Sequence, residues 1–421
     1  MKLPGIKNAN PALLALVAEG FIMRLAFGII AFSMPLYARH LGLSLAETGA
    51  LLAVTGIVKV ALKPAAGWLA DRVGTKPGLV AALGLRSAVS FLFAFAAAPW
   101  QLYTIRTVHG LSTSVRDPAV NALIAENGDE KAIGSAFGWY FTAKSLANAL
   151  GKAVAGALLT MTGSNFRTVF LITWGISSLT LPAIILFVPG AKRGLAVLEE
   201  SERRSAAAAK VAADRAPRES LYTRVFRVVG LGFLISITAS MIDRFYPIIA
   251  TEYAGMTQAQ AGAVYLASAV VTLIAGPLFG WLSDRYGRKP TVAIRSAANA
   301  GSSLLYLLAP NATGFTAGKL LDDGGRAGFR PAWGALKADV SASNKKQRAQ
   351  LMGLMDMGDD AGDVLGPIGG GMLWDAWGIT GVLVARIGLA IVTEVYGAVI
   401  IHPDPGRETG EPVRPHHPST G

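Results

Sequence analysis

Apolar segments about 20 residues long recur along almost the whole chain, and this feature constrains the fold more than any other. A helix needs about 20 apolar residues to cross roughly 30 Å of hydrocarbon, where it satisfies its own backbone hydrogen bonds. The chain has 421 residues, 52% hydrophobic and only 16% charged, with a mean hydropathy of +0.44. The pattern predicts an all-α integral membrane protein with twelve spans, near residues 14–38, 47–68, 78–98, 101–125, 132–161, 166–189, 225–252, 259–282, 290–309, 313–336, 347–376 and 379–401.

One loop sequence occurs twice, each time between two predicted spans. G-W-L-A-D-R-V-G at 67–74 returns 213 positions later as G-W-L-S-D-R-Y-G at 280–287. A matching loop at matching places indicates two copies of one membrane unit, so the repeat predicts two pseudo-symmetric six-helix bundles. Further matches at offsets of 213 or 215 are Gly49 with Gly262, Pro118 with Pro331, and Gly156 with Gly371.

Lys and Arg residues concentrate in alternate loops, which predicts the orientation of the chain. The loops near 71–76 and 285–289 are basic, whereas those near 96–100 and 375–379 have no Lys or Arg. Basic loops favour the cytoplasmic side, so both termini are expected there. The high Ala and Gly content indicates a prokaryotic source and hence the inner (cytoplasmic) membrane. The predicted division is an N-terminal bundle at 1–189, a basic cytoplasmic linker at 190–224, a C-terminal bundle at 225–402 and a cytoplasmic tail at 403–421.

Several classes of function are disfavoured by composition. The net charge of +12 lies largely in loops and reflects topology, so nucleic acid is not an expected partner. There is no cysteine, which excludes disulfides, thiolate metal sites and cysteine nucleophiles. The histidines do not fall at metal-ligand spacing, and no nucleophile–base constellation or GxxxxGK[ST] loop occurs. Neither an enzyme, a metal site nor an ATP-driven motor is therefore expected.

The doubled loop motif, the twelve predicted spans and the basic linker resemble the major facilitator superfamily of secondary transporters. The resemblance implies two bundles that rock about a site near the bilayer midplane. It implies a small-molecule solute, a proton gradient instead of a cofactor, and a monomer in the bilayer. In the family the loop motif braces the halves, which gives Asp71 and Arg72, and their repeats Asp284 and Arg285, a gating role. The alternative is a loop whose cations only fix topology.

Predicted span 4 contains R-T-V-H-G at 106–110, which resembles a family element whose arginine is associated with proton coupling. A charge inside the bilayer is costly unless it faces water or a partner, so its presence indicates function. We predict Arg106 and His109 as coupling or cavity residues, together with Asp322 and Asp323 at the repeated position in span 10. The alternative is a structural ion pair.

Four aspartates recur at three- and four-residue steps in predicted span 11, which puts most of them on one helix face. Spans 2 and 11 meet across the halves in the family, so Lys59 and Lys63 of span 2 are the expected partners. This predicts an interdomain ion-pair cluster that forms in one conformation and breaks in the other. Alternatively, the carboxylates carry protons or bind a cationic substrate. The aspartates are Asp356, Asp359, Asp360 and Asp363.

Buried cations distinguish the two predicted bundles. Arg24 in span 1 and Lys144 in span 5 lie far from helix ends, whereas Asp243 lies in span 7. The N-terminal bundle is therefore expected to be cationic inside and the C-terminal bundle anionic. Either the bundles attract each other, or the cavity holds an anionic or amphoteric solute.

The stretch G-D-V-L-G-P-I-G-G-G at 362–371 resembles the glycine–proline motif of the antiporter branch of the family. Glycines at helical spacing allow tight packing and a proline bends a helix, which suits Gly366 and Pro367 to gating. In antiporters the motif lies in span 5, where this chain has Lys152 at the proline position. The alternative is ordinary helix packing.

Together these features predict a proton-coupled transporter that exports a small organic solute by exchange with protons. Two alternatives remain open: proton-coupled uptake of an organic anion, favoured by the buried cations, and a non-transporting membrane receptor with the same fold. A receptor would have no need for costly buried charges on both halves.

Overall fold

The computed structural model describes residues 11–127, 133–189, 221–286, 288–342 and 348–400. Side chains are described throughout these ranges except at 63–73, 125–127, 133–138, 221–222, 280–286, 288–292, 331, 335, 339, 342 and 348–350. All regular secondary structure in the described ranges is helical.

The first half of the molecule consists of helices α1 to α7, which coincide with the first six predicted spans. Predicted span 6 is divided between α6 and α7, which are separated at Leu179. The helices are α1 Pro11–His40, α2 Leu45–Val73, α3 Thr75–Phe93, α4 Pro99–Asn127, α5 Ile133–Met161, α6 Phe166–Ser178 and α7 Thr180–Phe187.

The second half consists of helices α8 to α13. Predicted span 7 is interrupted, because α8 ends at Asp243 and is followed by a short helix and a π-helical turn, Ile249–Tyr253. The last helix contains a break at Trp377 and Gly378, which divides it into α13a (348–376) and α13b (379–400), as the predicted spans 11 and 12 require. The helices are α8 Leu221–Asp243, α9 Tyr246–Ile248, α10 Gln258–Tyr286, α11 Arg288–Leu308, α12 Ala312–Ala342 and α13 Arg348–Ile400.

Seven helical segments within the described residues are long and apolar enough to cross a membrane, judged by length and composition. The long helices α4, α5, α11 and α12 are outside this set, and they contribute many of the charged side chains described below. The count of twelve spans therefore stays a prediction. The seven segments are Pro11–His40, Leu45–Leu62, Thr75–Phe93, Phe166–Phe187, Thr223–Tyr253, Gln258–Phe279 and Leu351–Ile400.

Turn glycines follow the internal repeat. Gly42 and Gly255, separated by 213 positions, both have positive φ, at 84° and 67°. Gly163 and Gly378, separated by 215, have φ of 60° and 67°. This left-handed region is accessible to glycine without the steric cost that other residues incur. The pairs end corresponding helices in the two halves, so the repeat in sequence is also a repeat in backbone geometry.

The halves meet through two equivalent contacts, α2 against α13a and α5 against α10. A Cβ added to Gly371 would overlap the carbonyl oxygen of Leu45 across one contact. A Cβ on Gly156 would overlap that of Gln258 across the other. Both residue pairs obey the repeat offsets, which establishes pseudo-symmetry between the halves.

Buried apolar clusters show where the halves are joined. The largest cluster contains residues of both halves, including Ile29, Tyr246 and Leu383. It lies at the end of the molecule where the loops at 41–44 and 254–257 are found. A second cluster contains only first-half residues and a third only second-half residues. The halves thus share an apolar core at one end, the predicted outer end, and keep separate cores at the other.

Candidate functional site in the central cavity

A cavity of about 550 Å³ lies between the halves. Helices α1 to α5 line it from one side, and α8, α10, α11, α12 and α13a from the other. Small-molecule sites typically have volumes of about 300–1,000 Å³, so the cavity suits a small organic solute.

Backbone capping across the halves closes the cavity at the predicted outer end. Asp375 of α13a accepts hydrogen bonds from the backbone N–H groups of Leu45 (3.1 Å) and Ala46 (2.8 Å) at the start of α2. At the equivalent place, Thr160 Oγ1 of α5 accepts from the N–H of Ala259, at 3.0 Å, at the start of α10. These side chains satisfy N–H groups that a helix leaves free in its first turn.

Charged side chains dominate the cavity wall. Among the described side chains, seven cations and one carboxylate come from the first half, and four cations and three carboxylates from the second. The first half is cationic, as predicted. The prediction of an anionic second half is wrong, because Arg244, which follows α8, and cations of α11 and α12 offset its carboxylates. The first-half residues are Arg24, Lys59, Arg86, Arg106, Arg116, Lys144, Lys152 and Asp117; the second-half residues are Arg244, Arg295, Arg326, Arg330, Asp243, Asp359 and Asp363.

Asp322 lies behind the second-half wall and is only 3% exposed. Its Oδ1 is 3.0 Å from Arg295 Nη1 and 2.8 Å from Arg386 Nη2. Arg386 also donates to the side-chain oxygen of Asn299 (2.9 Å) and to Ser302 (2.8 Å). Arg326 Nη2 lies 3.9 Å from the other oxygen, Oδ2. Three guanidinium groups therefore surround this carboxylate, which fits the structural ion pair that the sequence left open as an alternative.

Asp243 and Asp323 belong to the same network. Lys319 Nζ lies 2.8 Å from Asp243 and 2.9 Å from Asp323, whose other oxygen accepts a hydrogen bond from Ser268. Arg326 is 3.2 Å from the second oxygen of Asp243. Asp243 is thus paired with two cations of α12 and still reaches the cavity, whereas Asp323 is not part of the wall.

The first half contains one strong buried ion pair. Arg116 of α4 donates to both carboxylate oxygens of Glu19, at 2.8 and 2.7 Å, and these two side chains are nearly inaccessible. Arg116 also contacts Asp117 at 3.1 Å, and Lys59 of α2 lies 3.8 Å from the other oxygen of Asp117. Two cations therefore already neutralise the only carboxylate on the first-half wall among the described residues.

Other cations on the first-half wall have no carboxylate within 4.0 Å among the residues that the structure describes. Arg24 lies over Phe27, 4.6 Å from the ring centre, and Lys144 lies 4.8 Å from that of Tyr140. Lys152 lies over Tyr265 of α10, the helix that packs directly on α5, 4.0 Å from the ring centre. Aromatic faces stabilise these cations without neutralising them.

Arg106 and His109 of α4 are both deeply buried. Arg106 donates to the backbone carbonyls of Leu51 (3.5 Å) and Leu52 (3.1 Å). His109 Nε2 lies 3.2 Å from Arg86 Nη2. Arg106 lines the cavity, as predicted for a cavity residue, and His109 lies behind the wall.

Two of the four aspartates of α13a have a partner other than the predicted ones. Lys337 of α12 lies 2.5 Å from Asp356 and 3.1 Å from Asp359. Because Lys337 and Lys59 each meet a carboxylate of their own half, the interdomain ion-pair cluster is not formed with Lys59 in this conformation. Asp363 is exposed on the cavity wall, and no cation among the described side chains lies within 4.0 Å of it. Asp360 is partly buried and does not line the cavity.

The glycine–proline stretch packs α13a closely on two neighbours. A Cβ at Gly366 would overlap Ser240 Oγ of α8, and a Cβ at Gly49 of α2 would overlap the carbonyl of Pro367. The stretch thus contacts both its own half and the other one. The remaining gating predictions, on Lys63, Asp71, Arg72, Asp284 and Arg285, lie outside the described side chains.

Sequence reasoning missed the partners of several predicted residues. Four of the missed residues are charges inside predicted spans and the fifth, Lys337, directly follows predicted span 10, so the signal was available. The spacing of charges along one helix does not show which helix lies opposite, so these residues were not assigned to their partners. The missed residues are Glu19, Arg295, Arg326, Lys337 and Arg386.

Solved structures with a similar fold cover almost the whole chain. A mutant of the nucleoside transporter NupG has a TM-score of 0.73 at 14% identity, covering 93% of this chain and 100% of that one. A POT family transporter in complex with 5-aminolevulinic acid has a TM-score of 0.73 at 14% identity, covering 94% and 96%. A bacterial homologue of the human lysosomal transporter Spinster, in an inward-facing and unoccupied conformation, has a TM-score of 0.71 at 16% identity, covering 92% and 96%. At these identities the likeness concerns the fold alone.

Relatives found by sequence match a smaller share of the chain than the solved structures do. The multidrug resistance protein MdtG of Citrobacter koseri is 29% identical over 172 residues, 40% of this chain and 42% of the relative. MdtG of Salmonella arizonae gives the same identity and coverage. The match thus spans less than half the length of these curated relatives.

The family model described as Major Facilitator Superfamily matches residues 20–242 and 228–419, which together cover most of the chain. The predicted fold class and family are confirmed by this match and by the structural neighbours, and the match argues against an enzyme. The chain is a multi-pass membrane protein that belongs to the major facilitator superfamily.

Proposed function

We propose that the protein is a secondary transporter that exports a small organic solute in exchange for protons, as a monomer. The observation that carries the proposal is the charged cavity between two pseudo-symmetric halves, closed at one end by Asp375 and Thr160. Two bundles that share an apolar core at one end only can rock to open that end and close the other. With the orientation predicted from the loop cations, this conformation faces the cytoplasm.

Export is supported by the relatives named multidrug resistance proteins and by the glycine–proline stretch at 362–371. The glycines of this stretch pack α13a directly on the backbone of α8. Such packing suits a helix that moves as part of a gate.

Asp363 is the best placed carboxylate to exchange a proton. It is exposed to the cavity and free of ion pairs among the described side chains. Its protonation would neutralise a charge without stranding a buried cation. Protonation of Asp322, by contrast, would break its contacts with Arg295 and Arg386. We therefore assign proton exchange to Asp363 and a structural role to Asp322.

The test uses purified protein in liposomes that contain a pH-sensitive dye. A proton gradient is imposed, organic anions, cations and neutral drugs are added one at a time, and proton flux is recorded. We expect a transported solute to drive proton flux in the opposite direction, and Asp363→Asn to abolish that flux. Asp356→Asn, which alters a carboxylate outside the cavity wall, is the matched control and should retain flux.

The outcomes separate the candidate functions. If protons and solute move in the same direction, the protein is a proton-coupled importer. This second candidate is favoured, for an organic anion, by Arg24 and Lys144, which have no carboxylate within 4.0 Å among the described residues. If radiolabelled solute crosses without proton movement, the proposed coupling is wrong. Binding without any solute movement would identify a receptor.

A further inference from the structure

Arg24 and Lys144, which have no carboxylate within 4.0 Å among the described residues, lie side by side. Helices α1 and α5 pack closely: a Cβ at Gly20 would overlap the ring of Tyr140, and a Cβ at Gly28 would come within 2.6 Å of the carbonyl of Asn148. These contacts hold the two helices in parallel register with an offset of 120 positions. Arg24 and Lys144 obey the same offset and lie between the two contacts, so they occupy the same level of the cavity wall.

Hydrogen-bonding groups at this level are unused. The guanidinium of Arg24 and the ammonium of Lys144 contact only aromatic rings among the described side chains. One turn further along α5, the side-chain oxygen of Asn148 is buried without a hydrogen-bond partner. Lys144, Asn148 and Lys152 follow each other at four-residue steps along α5 and all line the cavity, so they form a row of polar side chains about 12 Å long.

Among the described residues, no carboxylate lies within 4.0 Å of these cations. Asp117, on the same wall, is already held by Arg116 at 3.1 Å and by Lys59 at 3.8 Å. In the other half, Asp359 is held by Lys337 and by the indole of Trp333. Cations in a low-dielectric site that lack an anionic partner are costly unless water or a ligand compensates them.

Apolar side chains border the same level. Met23 and Phe27 of α1 line the cavity beside Arg24, and Tyr265 of the adjacent helix α10 lies under Lys152. A ligand that fits this wall combines an anionic group with an apolar or aromatic body.

We propose that the wall formed by Arg24, Lys144, Asn148 and Lys152 is the recognition site for an organic anion. The anionic group accepts hydrogen bonds from Arg24 and Lys144, and the apolar body lies against Phe27. This inference rests on the proposed transport function, because it names the class of solute that the cavity carries. It holds for export and for uptake alike.

The test measures binding without transport, with the full chain in lipid nanodiscs and equilibrium dialysis of radiolabelled probes. The probes are matched sets that share an aromatic body and differ in charge: phenylacetate, phenylethylamine and phenylethanol, and the corresponding four-carbon set of 4-phenylbutyrate, 4-phenylbutylamine and 4-phenylbutanol. We expect at least one carboxylate to bind about tenfold more tightly than its amine and alcohol partners.

Variants locate the site. Arg24→Gln and Lys144→Gln are each expected to weaken carboxylate binding about tenfold, and Arg24→Lys is expected to retain most of it because the charge remains. Arg167→Gln is the matched control, because Arg167 is an exposed cation that contacts Phe95 away from the cavity. Retained binding of the weak neutral probes by Arg24→Gln would show that the variant is folded.

The proposal is overturned if amines bind as tightly as carboxylates in both sets, if no carboxylate binds at millimolar concentration, or if Arg24→Gln and Arg167→Gln bind carboxylates equally. Failure of the proposed function looks different. If carboxylates bind with the expected variant effects but do not cross liposome membranes, the site stands and transport does not. If only amines are transported with protons, the proposed transport function is supported and the proposed anion site is wrong.

Discussion

Helices α4 and α5 of the first half correspond to α12 and α13a of the second, yet their buried charges are arranged differently. By the repeat offsets, His109 corresponds to Asp322, and Lys144 corresponds to Asp359. Asp322 is enclosed by guanidinium groups and Asp359 is bonded to Lys337. Lys144, by contrast, lies against Tyr140 and Phe141 and has no carboxylate within 4.0 Å among the described residues. The second half neutralises its buried carboxylates internally, and the first half leaves cations directed at the cavity. Backbone packing is symmetric while charge is not, and the asymmetry is where a solute can be recognised.

The largest effect on stability is expected from removing Asp322, the carboxylate that Arg295 and Arg386 share in the second half. Asp322→Ala leaves Arg295 and Arg386 buried beside each other without their shared carboxylate. Removing one partner of a buried ion pair costs about 3–5 kcal/mol. We expect a large loss of stability, measured as the unfolding midpoint of purified protein in detergent.

The matched change in the first half is Glu19→Ala. Arg116 keeps Asp117 at 3.1 Å after this change, so the loss should be smaller, about 1.5–3 kcal/mol for charged hydrogen bonds. Equal losses for Asp322→Ala and Glu19→Ala would contradict the view that the second-half network is the more tightly closed of the two.

The second prediction concerns the symmetric contacts between the halves. Gly371→Ala forces a Cβ into the carbonyl of Leu45 across the closed end. Overpacking of this kind costs about 1–3 kcal/mol, and only the conformation closed at this end bears the cost. We expect the population to shift toward opening of the predicted outer end. Gly156→Ala, at the repeated position, should have the same effect.

Because the chain has no cysteine, introduced cysteines are the only thiols available for spin labels. With spin labels at the exposed positions Met161 and Trp377, double electron–electron resonance measures the distance between the two halves at this end. Gly369→Ala is the control, since nothing lies within 4 Å of its added Cβ. If Gly371→Ala leaves the distance distribution as it is in Gly369→Ala, the contact does not determine closure.

Much of the fold follows from sequence, because hydrophobic length and the repeat are local or periodic signals. Each of the twelve predicted spans coincides with helix, and the glycines at the repeat offsets recur at the same inter-half contacts. Even the break at Gly378 follows from its correspondence to Gly163.

The ion pairs follow from sequence far less well. Helical spacing places Asp356 and Asp359 near one face, but it does not say which helix lies opposite that face. Lys337, 22 positions before Asp359, is therefore as compatible with the spacing as Lys59. Likewise Glu19 and Arg116 are 97 positions apart, and only the packing of α1 on α4 brings them together. The cavity positions of Arg24, Lys144 and Asp243 were predictable because a buried charge in a span needs water or a partner.

A smaller effect is expected where a side chain of one half caps a helix of the other half, at Asp375 and at Thr160. These two equivalent caps differ in chemistry, because one is a carboxylate and the other a hydroxyl. Asp375→Ala removes a carboxylate that accepts from two N–H groups at the start of α2. Loss of an N-cap typically costs about 1 kcal/mol, roughly a fivefold change in an equilibrium. We expect a partial shift toward opening of the outer end, measured with the same spin-label pair. Thr160→Val, which removes a neutral acceptor of one N–H, should shift the equilibrium less. A larger shift for Thr160→Val would contradict the account of both caps.

The smallest effect is expected at Lys59, whose contact with Asp117 is compared with that of Lys337 in the other half. The Lys59 and Asp117 side chains are 43% and 35% exposed and lie 3.8 Å apart, so solvent screens their attraction. Exposed pairs contribute about 0.2–1 kcal/mol, and Asp117 keeps Arg116 when Lys59 is removed. We expect Lys59→Ala to retain its unfolding midpoint, its spin-label distances and transport. If Lys59 instead meets Asp359 in the outward-open conformation, as the predicted interdomain ion-pair cluster requires, Lys59→Ala would change the spin-label distances and reduce transport. Loss of transport in Lys59→Asp that is restored by adding Asp359→Lys would therefore place that cluster in the other conformation.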